Sequence, residues 1–223
     1  MKSNVLVIAP HPDDEVLGCG GIIKKITSDG VEVFVLIISR GKRELFSEDR
    51  ITNVRQEALN AHEILGVKET KFLDFPAPDL DLVSLAEMAR SIAIVIHDYN
   101  IGTLYLPHRG DIHHDHKAVF NAGLVAARPT GKNSVKRIYS YETLSETEWA
   151  APFGDDSFIP TRFVDISDVF NSKLDAMKCY KSQLRDFPNP RSLKGIETLA
   201  SLRGCNVGLN YAEAFMTIRI IEG

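Results

Sequence analysis

The chain has 223 residues, 44% of them hydrophobic and 25% charged, with a formal net charge of -4. That length can bury one sizeable core. The mild acidity, with no Lys/Arg run or basic stripe, argues against nucleic acid as the main partner. No stretch reaches the roughly 18 apolar residues of a membrane span. The opening apolar run is too short for a signal peptide, so a cytoplasmic protein without stable membrane insertion is expected. Cys19, Cys179 and Cys205 form no CxxC and fit free thiols in a reducing compartment.

In chain order, the uncharged β-branched run "NVLVIAP" (4–10) reads as a strand buried on both faces. A helical pattern over 17–29 stops at Gly30, and "VEVFVLIIS" (31–39) is a second buried strand. The pattern over 48–66 predicts a helix closed by a C′ glycine, Gly66. Strand candidates at 70–75, 101–107 and 135–142 alternate with helices over 82–100 and 114–129. Alternation of this kind predicts an α/β fold with right-handed βαβ units on a mostly parallel sheet.

The last third reads differently. An irregular loop (145–162) precedes a strand-like 162–167, helices over 168–184 and 192–203 around a Pro-rich turn (186–191), and a final strand-like 212–221. The expected organisation is one domain over 1–223. Residues 1–142 form the core, and 143–223 pack on its sheet and wall the pocket.

In open α/β sheets, ligands sit beyond the carboxyl ends of the strands. Two loops rich in donor groups fall there. "HPDDE" (11–15) follows the first strand, and "HRGDIHHDH" (108–116) follows a later one, about 100 residues on. Alone, Asp13, Asp14 and Glu15 would pass as a helix start favoured by the dipole, and 113–116 as a polar turn. Together the loops offer the His and carboxylate donors of a divalent-metal site, and a cation would relieve the repulsion among the acids. Adjacent Asp13 and Asp14 point opposite ways in an extended loop, so one can ligate while the other takes a proton from metal-activated water. His113 and His116, three apart, share a helix face. One can ligate while the other, protonated, stabilises an oxyanion. Gly18, Gly20 and Gly21 miss the GxGxxG pattern, because Ile23 stands at its last glycine. They read as close helix–strand packing.

The motifs Pro10-His11-Pro12-Asp13-Asp14-Glu15 and Asp111-Ile112-His113-His114-Asp115-His116 resemble those of the LmbE-like (PIG-L) zinc-dependent de-N-acetylases. Further likeness at 54–67, 173–184 and 211–219 extends the resemblance over nearly the whole chain. It implies a three-layer Rossmann-like fold and removal of an N-acetyl group from a GlcNAc-type amino sugar. His11, Asp14 and His116 would hold Zn²⁺, with Fe²⁺ also compatible. Asp13 would be the general base, His113 would assist the tetrahedral intermediate, and Arg55 would face substrate. A homo-oligomer is also implied.

Glu15, Asp115 and Asp111 are expected to orient the ligands or cap a helix. The chain departs from the family at Pro10, usually alanine, and at His114, usually proline. His114 adds an imidazole that competes for the metal. Two other functions fit the residues: a non-catalytic sugar or metal binder, and a non-haem iron oxygenase using two histidines and a carboxylate. Trp149 and Phe153 could stack on a sugar or pin their loop. His62, His97 and His108 read as structural or surface groups.

Overall fold

The computed structural model describes residues 3–130 and 134–222. Strands β1 (Asn4–Ala9), β2 (Val33–Gly41), β3 (Glu69–Ala77), β4 (Ile101–Pro107) and β5 (Arg137–Tyr141) run parallel. Strand β7 (Ala212–Ile220) is antiparallel to both β5 and β6 (Arg162–Asp165). They form one seven-stranded sheet of order β3-β2-β1-β4-β5-β7-β6. The helices are α1 (Asp14–Ser28), α2 (Glu48–Leu65), α3 (Leu85–Asp98), α4 (His114–Ala126), α5 (Phe170–Cys179) and α6 (Leu193–Cys205).

The period of two in a strand explains the layers. In β1, Val5, Val7 and Ala9 join one apolar cluster with α1, α2, α5 and α6, while Leu6 and Ile8 join another with α3 and α4. Strand β2 divides the same way, with Val33, Val35 and Ile37 on one side and Phe34, Leu36 and Ile38 on the other. Residues 5–9 and 33–38 are therefore apolar throughout, which is why the two strands read as continuous runs. The fold is the expected three-layer, Rossmann-like α/β sandwich.

The strand order matters for the site. From β1 the chain builds outward to β2 and β3, then returns to the other side of β1 with β4. The crevice between β1 and β4 is the topological switch point, where ligands collect. The loops after these two strands carry 11–15 and 108–116.

Helix boundaries follow the local chemistry. Gly66, at φ 79°, closes α2 in the left-handed region, as the C′ glycine reading expects. Helix α5 stops at Cys179, short of the expected 184. Beyond it the Ser182 N–H donates to Glu57 Oε1 at 3.0 Å, and the Ser182 hydroxyl donates to Oε2 at 2.6 Å. A side chain of α2 thus claims the Ser182 N–H that a longer helix would use.

The glycines of α1 serve close packing. A methyl at Gly18 would overlap the ring of Tyr141, whose hydroxyl donates to the Ile8 carbonyl at 2.8 Å. A methyl at Gly21 would overlap Ile166. Gly18→Ala is therefore expected to cost about 1–3 kcal/mol through overpacking. A denaturation midpoint equal to that of the unsubstituted chain would refute this.

Candidate active site

The Asp13 backbone makes the sharp entry into α1. It is the N-cap residue at φ 110°, in the left-handed region that side chains other than Gly, Asn and Asp rarely adopt. The turn brings Asp14 Oδ2 within 2.8 Å of the His11 N–H, buries Asp13, Asp14 and Glu15, and leaves His11 partly exposed at the rim. On the second loop, His113 caps α4. Its Nδ1 accepts the Asp115 N–H at 3.2 Å. His116 follows one turn later and is fully buried.

Ligand-type atoms of His11, Asp14 and His116 lie within 4.8 Å of one another. His11 Nδ1 and His116 Nε2 each stand 3.4 Å from Asp14 Oδ2. The far nitrogen of each ring is already fixed. His11 Nε2 donates to Asp115 Oδ2 at 2.8 Å, and His116 Nδ1 donates to Asp111 Oδ2 at 2.7 Å. Metal-binding imidazoles are commonly oriented in this way. Meanwhile Asp14 Oδ1 and His116 Nε2 are buried without a hydrogen-bond partner. A buried carboxylate oxygen and imidazole nitrogen left unpartnered beside a second histidine fit a divalent cation.

The electrostatics point the same way. Burial opposes charge on all three groups. Even so, hydrogen bonds donated to Asp115 and Asp14 hold His11 up to about 9, and the Asp14 charge holds His116 well above the ordinary imidazole range. Asp14 is pulled well below the carboxylate range by His116 and His11, against its burial. The centre draws positive charge, and a bound cation would replace these protons.

Asp13 behaves differently. Burial pushes its carboxyl up to about 8, Arg191 opposes the rise, and Asp14 and Glu15 add to it. His113 is pushed below the usual imidazole range by burial and by the nearby His11. Because its Nδ1 accepts a backbone N–H, the neutral ring carries its proton on Nε2. The sequence reading expected a protonated His113, and the capping geometry favours the neutral donor.

A second group, His11, His113 and Asp115, is also close enough to share an ion. There, however, Asp115 already accepts from His11 and from the Leu80 N–H, at 2.8 and 2.9 Å. His114, the competing imidazole of the sequence, is exposed and 3.8 Å from Asp81, away from both groups. Among the described residues, Glu15 has no hydrogen bond or ion pair to His11 or His116. It accepts from His62 Nε2 at 3.0 Å and from the Tyr180 hydroxyl, and its Oε2 meets the Asp13 N–H. These contacts brace the turn at Asp13. Asp111, read equally as a helix cap, leaves the cap to His113 and binds His116.

A cleft of about 240 Å³ opens beside the centre, with His11, Asp13 and His113 in its wall. Arg55 lines it too, although its guanidinium also donates to Asp74 at 2.6 Å and lies over the Phe72 ring. Trp149 and Phe153 are exposed and line none of it. The 145–162 loop is tied instead by Thr147 to Asp111 and by His108 to the Asp156 carbonyl. Glu146 and Arg191 are among the wall residues that escaped the sequence reading. Burial pushes Glu146 up to about 7. An arginine in a Pro-rich turn and a glutamate in an irregular loop carry no periodic signal.

A family model described as PIG-L, GlcNAc-PI de-N-acetylase, matches residues 6–127. The diacetylchitobiose deacetylase of Thermococcus kodakarensis is 31% identical over 229 residues, covering 98% of this chain and 83% of that protein. Among solved structures, the N,N'-diacetylchitobiose deacetylase of Pyrococcus horikoshii superposes with a TM-score of 0.77 at 24% identity, covering 97% of this chain and 84% of that one. The 4-carboxy-2-hydroxymuconate hydratase of Pseudomonas putida superposes equally well, with a TM-score of 0.77 at 22% identity and coverage of 100% and 99%. The fold alone therefore does not decide the reaction.

Proposed function

The chain belongs to the PIG-L family, and from that premise we propose that it is a metal-dependent hydrolase removing the N-acetyl group from a GlcNAc-type amino sugar or its conjugate. Acetate and a free amine are the products. The reading rests on one observation: a donor set of His11, Asp14 and His116 with unpartnered buried atoms, beside a second carboxylate, Asp13, on the cleft wall.

His11, Asp14 and His116 would hold the cation, Zn²⁺ or Fe²⁺, with Asp111 and Asp115 fixing the two rings. When bound, the cation would supply Lewis-acid polarisation of the acetyl carbonyl and a water acidic enough to attack near neutral pH. Asp13 takes the proton of the attacking water and passes it to the departing nitrogen, so the amine leaves neutral. Its Oδ2 is buried with no hydrogen bond aligned on it, which leaves that lone pair free for the proton. His113 donates from Nε2 to the carbonyl oxygen as negative charge gathers there, as a neutral imidazole can. Arg55 offers donors to sugar hydroxyls from the cleft wall. The relatives that act on diacetylchitobiose support a sugar substrate.

The test is free-amine release from N-acetylglucosamine and N,N'-diacetylchitobiose, using metal-stripped protein and the same protein reloaded with Zn²⁺ or Fe²⁺. Release should vanish on stripping and return on reloading. Failure to bind a divalent metal would overturn the reading. A finer expectation concerns the ring orienters. Asp111→Asn should weaken metal affinity about 10- to 100-fold, measured by chelator competition. Unchanged affinity would remove Asp111 from that role.

A further inference from the structure

The proton shuttle stands among three adjacent acids, each buried. Two have their charge met inside the centre. Asp14 faces His11 and His116, and Glu15 accepts from His62 and Tyr180. Asp13 is met from another part of the chain. Arg191 Nη1 lies 3.2 Å from Asp13 Oδ2, yet that oxygen has no aligned donor. The guanidinium therefore acts on Asp13 as a nearby charge and leaves the lone pair open.

The same side chain reaches two further groups. Arg191 Nε donates to Ser145 Oγ at 2.7 Å, and Nη2 lies 3.4 Å from Glu146 Oε1. Ser145, at φ 70°, is like Asp13 a non-glycine residue in the left-handed region. Such backbone positions cost free energy and persist when their surroundings over-determine them. Arg191 touches both. Its own backbone is fixed as well. Its N–H donates to Asn189 Oδ1 at 2.9 Å, its carbonyl accepts from Arg185 at 3.2 Å, and the next residue, Ser192, caps α6.

We propose that Arg191 is a positioning residue for Asp13: the planar fork ties the turn at Asp13, the loop at 145–146 and the start of α6 into one rigid corner, holding the carboxylate against the cleft. The proposal rests on the reading of Asp13 as the proton shuttle. A planar guanidinium that donates to Ser145, meets Glu146 and sets its charge against Asp13 suits this task, and an ammonium does not. Arg191 touches no metal-ligand candidate in these contacts, so its loss should spare the metal.

The experiment uses Arg191→Ala and Arg191→Lys in metal-reloaded protein. It follows metal content, kcat and KM for amine release, and recovery by guanidinium ion at non-denaturing concentration. Full metal content is expected, with KM little changed and kcat lower by about 100-fold for Arg191→Ala, the scale of a misplaced catalytic group. Arg191→Lys should fall between. Guanidinium ion should restore part of the kcat of Arg191→Ala, and nothing to Asp13→Asn. A raised KM with unchanged kcat would make Arg191 a substrate contact and overturn the proposal. Loss of metal, an unchanged kcat, or no rescue in a folded Arg191→Ala would also overturn it. No amine release by the reloaded, unsubstituted protein is a separate result: it rejects the function proposed above, and this inference with it.

Discussion

Asp13→Asn should lower kcat for amine release by about 10³, within the range that a positioned acid–base group contributes, while the metal stays bound. Asparagine suits the test for two reasons. It tolerates the left-handed backbone that Asp13 adopts at φ 110°, so the turn into α1 keeps its shape. It is nearly the same size and keeps a polar group facing Arg191, but it cannot accept a proton at neutral pH. Asp14, not Asp13, stands between His11 and His116, so the metal count should remain that of the unsubstituted protein. Steady-state kinetics alongside elemental analysis separates the two effects. A kcat within about twofold of the unsubstituted value would mean that another group carries the proton. Glu146, the other carboxylate on the cleft wall, would then be the next to replace.

The largest effect on stability is expected behind the site. Lys173 and Glu213 pair at 2.6 Å with side chains only 5% and 4% exposed. The pair is spliced into α1: Glu213 accepts the N–H groups of Gly21 and Ile22, each at 2.7 Å, and Lys173 donates to the Leu17 carbonyl at 2.8 Å. Leu17 is the residue whose carbonyl the Gly21 N–H would ordinarily meet one helical turn back.

Removing one partner leaves a buried charge without its counterpart. Lys173→Met should therefore cost about 3–5 kcal/mol, more than an exposed pair could. The urea midpoint should fall with little change in slope. Adding Glu213→Gln to Lys173→Met should recover part of the loss, because the second change removes the stranded charge. A cost below about 1 kcal/mol for Lys173→Met would show that the pair contributes as little as a surface contact.

The reach of the sequence followed the physics of each signal. Strands β1 and β2 were legible because burial on both faces demands unbroken apolar runs, and Gly66 was legible because a left-handed helix end favours glycine. The gathering of the donor-rich loops 11–15 and 108–116 was legible because both follow strands whose carboxyl ends meet in one crevice, whereas the choice of His11, Asp14 and His116 among their donors came from the resemblance. Their chemical roles came from the resemblance. Helix α5 was read too long, since periodicity continues past Cys179 and the hydrogen bonds from Ser182 to Glu57 leave no local trace. Arg191 and Glu146 were missed for a related reason. Single charged residues in loops usually face water, and only the folded chain reveals that Arg191 meets both Asp13 and Glu146 at the cleft wall.

The splice of Glu213 into α1 bears on how the protein is made. A ribosome emits His11, Asp14 and His116 long before residue 213, so the nascent chain holds every candidate ligand while the helix behind Asp14 still lacks its anchor. Strand β7, which carries Glu213, must also insert between β5 and β6. Pairings so distant in sequence form late and slowly. The expected order is therefore that the centre is completed only after translation has passed the anchor, so that half-made chains hold the ligand residues without the corner around Asp13.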